Sequence, residues 1–298
     1  MSKRLGLVLG SGGARGIAHI GVLDWLDEHG FQVDSISGCS MGALVGGIYA
    51  AGQLSTFKQW LLALEKSDVI KLLDFSFQSD GVLKGDKVIN LLRELVGEYR
   101  IEDLPIHYTS VATDIDTERE VWFREGPLFD SIRASIAIPG VFTPVEHQGR
   151  RLVDGGLLNP LPIAPTFAAD VDLTLAVNLC APNDPRFESQ ELTDNHPQET
   201  DSYRQKVVNY IGKLYDDFEK AVSDGLQFYD IFNQSIDTMQ GALSRMKLAA
   251  YPPDITLDVP RNICSGYEFY QAESLIDFGY QLAQQQLGHL VETSENAN

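Results

Sequence analysis

The sequence predicts an α/β fold with a mostly parallel sheet and helices on both faces, and three observations predict it. Leu5–Leu9 is a short apolar run ending in glycine, and Ile17–Glu28 follows with Ile17, Ile20, Leu23 and Leu26 at helical spacing. Val33–Ser37 then runs through a second glycine-flanked turn into the small, apolar Ala43–Ala51, which repeats the strand, loop and helix order. Finally, Ile106–Ile115, Arg119–Phe123 and Asp172–Leu179 form a set of strand-like segments rich in β-branched and aromatic residues.

Helices are expected over Ser55–Glu65 and Gly85–Val96, a last strand over Asp254–Pro260 and a closing helix over Tyr267–Leu290. The 298 residues are expected to make a single domain with a core over 5–180. Residues 181–202 read as an acidic, proline-punctuated linker, and 203–250 as an amphipathic helical segment. In that segment Val207, Ile211, Leu214, Phe218, Val222, Leu226, Tyr229, Phe232, Ile236, Met239, Leu243 and Met246 recur at three-to-four spacing. Two readings of the stripe stand side by side: it packs on the sheet or between two copies of the chain, or it covers the site and meets lipid. Residues 254–290 supply the closing strand and helix.

A formal charge of −19 argues against nucleic acid as a partner and against electrostatic docking on anionic lipid. No apolar run reaches the roughly 18 residues of a membrane span. Cys39, Cys180 and Cys264 are odd in number and far apart, which fits a reducing compartment. The expected location is cytoplasmic, with peripheral contact at the inner face of the membrane and a homodimer left open.

Two glycine-rich turns carry the chemistry. Gly10-Ser11-Gly12-Gly13-Ala14-Arg15-Gly16 matches neither a dinucleotide fingerprint nor a phosphate-binding loop ending in G-K-[ST]. It does place free backbone N–H groups at a helix start, where they meet an anion. Gly38-Cys39-Ser40-Met41-Gly42 is a full G-x-S-x-G between strand and helix, the setting of a nucleophile elbow, with Ser40 as candidate nucleophile and Cys39 only at the flanking position. Among the histidines His19, His107, His147, His196 and His289, none has neighbours that recommend it as a base, and only His196 and His289 follow in the order a triad esterase would need. Val153-Asp154-Gly155-Gly156 offers a carboxylate at the end of an apolar segment, readable as a turn or as a base.

Taken together, the glycine-rich loop with arginine, G-x-S-x-G and D-G-G resemble the patatin-like phospholipase family, in particular its compact bacterial members, across residues 5 to about 180. "ATDIDT" (Ala112–Thr117) and "ASIAIPGVFTPV" (Ala134–Val145) are similar to segments of that family, with a structural role expected, and Ser11 stands where the family usually has glycine. The resemblance implies a three-layer sandwich and a serine lipid acyl hydrolase, a phospholipase or esterase, working through an acyl-enzyme. It implies Ser40 as nucleophile, Asp154 as base, Gly12, Gly13, Ala14 and Arg15 as the oxyanion-hole loop, and Gly38, Gly42, Gly155 and Gly156 as supports. It implies a lipid or fatty acyl ester as substrate and no metal or organic cofactor. The alternative is a regulatory or scaffold protein on the same fold.

Overall fold

The computed structural model describes residues 4–64, 85–187, 231 and 234–295. Its strands are β1 (Arg4–Leu9), β2 (Gln32–Cys39), β3 (His107–Asp114), β4 (Arg119–Phe123), β5 (Val145–His147), β6 (Arg150–Asp154), β7 (Leu173–Ala181) and β8 (Ile255–Pro260). The helices are α1 (Ala18–Glu28), α2 (Met41–Ala50), α3 (Leu54–Leu62), α4 (Asp86–Val96), α5 (Leu128–Ser135), α6 over the described residues 234–250, and α7 (Ala272–Glu295).

One sheet holds the strands in the order β5-β6-β3-β2-β1-β7-β8, with β4 paired to β3 off this path. The pairs β1 with β2, β2 with β3, β1 with β7 and β7 with β8 are parallel, whereas β4 and β6 meet β3 antiparallel, as β5 meets β6. From β1 the chain first builds toward β2 and β3, then returns to add β7 and β8 on the other side of β1. Right-handed crossovers must therefore lie on opposite faces before and after this reversal.

Alternation along the strands agrees. Leu5, Leu7 and Leu9 of β1 and Leu175, Val177 and Leu179 of β7 join one large core with apolar residues of α1 to α5 and α7. Val8 and Ala176 point the other way, onto Leu161, Ile163 and Leu248 of α6. The reversal falls between β1 and β7, and the carboxyl ends of strands at such a reversal are where open parallel α/β sheets commonly bind ligands.

Helices α1 and α7 meet backbone to backbone. A Cβ on Gly21 would collide with the Ile276 carbonyl oxygen, and one on Gly279 with that of Ala18. Around this contact Trp25 Nε1 donates to Gln284 Oε1 at 2.7 Å and Tyr280 Oη to Glu28 at 2.6 Å.

Several expectations shift. Ala181, assigned to the linker, closes β7 by pairing with Pro260. Strands β5 and β6 and helix α5 are additions the sequence reading did not make. The stripe of α6 is turned about: Met239 and Met246 are exposed, while Gln240, Gly241 and Ser244 are buried. Arg15, Arg261 and Glu120 lie beneath this helix and require polar partners, so its polar side faces inward. Phe218 and Phe232, with the rest of 203–230, lie outside the described residues, as does most of the predicted linker. Among the described residues no helix is long and apolar enough to cross a membrane.

Candidate active site

Register brings the two candidate catalytic residues together. Strand β2 pairs with β3 over 107–111 and β4 with β3 over 110–114, so these two occupy opposite edges of β3. Strand β6 pairs with β3 over 112–114, where β4 already holds one edge, and it therefore takes the edge that β2 vacates after Cys39. The end of β6 at Asp154, opposite Ala112, thus lies next to the end of β2 at Cys39, opposite Val111, and so beside Ser40 in the turn that follows.

Ser40 sits at the turn from β2 into α2 with φ 53° and ψ −121°, a conformation that L residues rarely adopt and that costs on the order of 1–3 kcal/mol. Its surroundings over-determine it. The Ser40 N–H donates to Ser135 Oγ at 2.8 Å, and that hydroxyl donates on to the Val111 carbonyl at 2.6 Å. Gly42 passes so near β1 that a Cβ would collide with the Leu9 carbonyl oxygen. Ser135 belongs to the "ASIAIPGVFTPV" segment, whose structural role is now specific: it bolts the elbow to β3.

Asp154 is 3% exposed, as is Ser40. Its Oδ1 accepts the Gly156 N–H at 2.7 Å and faces Cys39 Sγ at 3.9 Å, while Oδ2 has no hydrogen-bond partner. Burial pushes the carboxyl up to about 6, against the opposing pull of the Ser40 hydroxyl, the Gly156 N–H and the Cys39 thiol. The Ser40 hydroxyl acts on the carboxyl without completing a hydrogen bond to the orphaned Oδ2; such contacts are commonly long before substrate binds. A carboxylate with an ordinary pKa near 3.9 is a feeble base toward an alcohol, and this one is raised toward neutrality. Asp154 also caps the turn Gly155–Leu157, the turn reading of D-G-G, and this leaves its Oδ2 unengaged.

The first glycine-rich turn leaves β1 beside these groups. Gly13 has φ +57°, and a Cβ on it would stand 2.5 Å from the Gly266 carbonyl oxygen. The Ala14 N–H donates to that same oxygen at 2.8 Å. The Ala14 N–H is therefore engaged, while the Gly12 and Gly13 N–H groups have no partner among the described residues. Arg15 is 4% exposed and turns back into the protein, where its Nε donates to the Gly12 carbonyl at 3.0 Å. It braces the loop instead of adding a donor to it.

Each remaining titratable neighbour has another task. His19 Nε2 bonds the Gly10 carbonyl at 3.0 Å, and burial lowers its pKa to about 4, so the ring is neutral. His147 lies at the end of β5 against Phe123. No histidine among the described residues hydrogen-bonds Ser40 or Asp154, and His196 falls outside them. Burial drives the Cys39 thiol far up, which keeps it protonated and a poor nucleophile. Asp114 accepts from Asp116 N, Thr117 N and Thr117 Oγ1, the turn role expected of it.

Helix α6 roofs the site with groups that sequence reasoning missed. Gln240 Nε2 and Ser11 Oγ crowd Gly156, standing 2.5 Å and 2.8 Å from where its Cβ would be. Asp237 Oδ1 meets Arg15 Nη2 at 2.8 Å, and Lys247 Nζ meets Glu120 Oε1 at 2.7 Å. Asn159 and Trp122 also donate to Glu120.

A family model described as patatin-like phospholipase matches residues 7–167. An uncharacterized NTE family protein of Mycobacterium tuberculosis is 38% identical over 96% of this chain and 92% of its own length. The lysophospholipase nte1 of Emericella nidulans is 31% identical across 64% of this chain and 13% of that protein. Among solved structures, VipD from Legionella pneumophila aligns with a TM-score of 0.45 at 15% identity, covering 98% of this chain and 67% of that one.

Proposed function

The chain belongs to the patatin-like phospholipase family, and from that premise we propose that it is a serine hydrolase of lipid acyl esters that works through a Ser40–Asp154 dyad. One observation carries the reading: a serine held at φ 53° on an elbow beside a buried carboxylate whose Oδ2 lacks a partner.

In the proposed reaction Ser40 Oγ attacks the ester carbonyl carbon while its proton passes to Asp154. The carbonyl oxygen becomes an oxyanion facing the Gly12 and Gly13 N–H groups, a contribution of about 3–4 kcal/mol per donor to the barrier. As the tetrahedral intermediate collapses, the C–O bond to the alcohol breaks and the proton on Asp154 goes to the departing oxygen. Water then attacks the acyl-Ser40 ester while Asp154 takes its proton, and as the bond between the acyl carbon and Ser40 Oγ breaks that proton returns to Ser40 and the fatty acid leaves. The apolar Met239 and Met246, exposed seven residues apart on one face of α6, support a peripheral seat on lipid as part of the same proposal.

The test is covalent labelling with a fluorophosphonate, with mapping of the modified residue and parallel assays on lysophospholipid and p-nitrophenyl butyrate. Labelling at Ser40, abolished together with turnover in a folded Ser40→Ala protein, is expected. An unlabelled, inert wild-type protein would favour the scaffold alternative.

A further inference from the structure

We infer that Asp237, on α6, is a positioning residue for acyl transfer: its ion pair with Arg15 holds the peptide between Gly12 and Gly13 in the orientation that offers the Gly13 N–H to the oxyanion. The inference rests on the proposed function and adds to it a residue 222 positions away in the chain.

The argument begins with the peptide unit. In a trans peptide the C=O and the following N–H point in opposite directions, so whatever fixes the Gly12 oxygen also fixes the Gly13 hydrogen. Glycine on both sides leaves this peptide free to rotate unless something restrains it. Arg15 Nε supplies the restraint at 3.0 Å. Because a guanidinium is planar and rigid, the aim of Nε depends on what the other two nitrogens grip. Nη1 donates to the Arg261 carbonyl at a long 3.4 Å, and Nη2 to Asp237 Oδ1 at 2.8 Å, so the carboxylate is the stronger anchor.

Charge leads to the same place. The Arg15 side chain is 5% exposed, and a cation so buried requires a counter-charge. Among the described residues Asp237 is the carboxylate within ion-pair distance. Arg261 keeps Asp237 in place in turn, its Nη1 donating to the Asp237 carbonyl at 3.3 Å. A chain of contacts thus runs from α6 through Arg15 to the loop at the end of β1.

In the full-length protein, Asp237→Asn is expected to lower kcat on p-nitrophenyl butyrate on the order of tenfold to a hundredfold with KM unchanged. Fluorophosphonate labelling should slow in parallel, since the probe uses the same oxyanion donors, and Asp237→Glu should recover part of the loss. Arg15→Lys keeps the charge but removes the Nε contact, and it should match the loss of Asp237→Asn. Lys247→Met breaks the other ion pair of α6 without touching Arg15, and kcat should hold. An undiminished kcat in folded Asp237→Asn, or in Arg15→Lys should the first variant not fold, overturns the role of Asp237. So does an equal loss in Lys247→Met, which would implicate seating of the helix as a whole. An inert wild-type protein would instead overturn the hydrolase reading.

Discussion

The parallel strands β1, β2 and β7 are buried along almost their whole length, while in the antiparallel corner β4 and β5 are short and half-buried or exposed and β6 is exposed at its start and buried only from Leu152 to Asp154. The proposed dyad straddles the boundary, with Ser40 leaving the first region and Asp154 ending the second. Buried parallel strands fix an elbow from all sides and can sustain a costly backbone angle. The corner delivers a carboxylate into the same dry volume, and there the cost is electrostatic. One partner thus carries conformational strain and the other carries desolvation.

Asp154→Asn sharpens this contrast most. Loss of the base should lower kcat/KM by about two to four orders of magnitude. The folded protein binds the Asp154 proton more tightly than the unfolded chain does between about pH 4 and 6. Stability from this group therefore falls as pH rises through that window, and the full cost, on the order of 3 kcal/mol, is carried above about 6. The inactive variant should consequently melt at a higher temperature than wild type at pH 7.5, with the advantage shrinking toward pH 4. A variant that is both inactive and less stable at pH 7.5 would remove desolvation from the account.

A smaller effect is the pH profile of the wild-type enzyme. In the proposed reaction only the ionised carboxylate accepts the proton of Ser40, so kcat/KM for a neutral ester should be level above pH 7 and about tenfold lower by pH 5. A midpoint near 4 would place Asp154 in a far wetter site than its 3% exposure describes.

Smallest is a pair of substitutions, one on each side of the boundary. Ser135→Ala leaves the buried Ser40 N–H and Val111 carbonyl without the hydroxyl that bridges them and should cost about 1–3 kcal/mol in chemical denaturation. Arg151→Ala removes an exposed ion pair with Asp116 at the corner and should leave the denaturation midpoint unmoved. Equal losses would erase the distinction between the two regions.

Legibility in the sequence follows the same boundary. Strands β1 and β7 are readable because burial on both faces demands largely apolar stretches, β2 from its place between a helix and a glycine-flanked turn, β3 from its β-branched and aromatic residues, and α1 and α2 because they face one core. Strands β5 and β6 are three and five residues long and include Glu146, Arg150 and Arg151, so no period survives in them. Ser40 and Asp154 could be found because the glycines their turns need stand beside them in sequence. Asp237 and Gln240 could not, since their partners lie in loops far away along the chain. On α6 the apolar spacing was visible but its direction was not, because the charges it covers belong to Arg15, Arg261 and Glu120.

The close crossing of α1 and α7 has a meaning for biosynthesis. Gly279 backs the helix that opens on the oxyanion loop, Gly266 holds Ala14, and Asp237 holds Arg15, yet all three emerge from the ribosome long after the loop they secure. A nascent chain therefore contains the serine elbow well before the residues that brace the glycine-rich loop beside it. On the proposed mechanism, hydrolysis would therefore await the last helix.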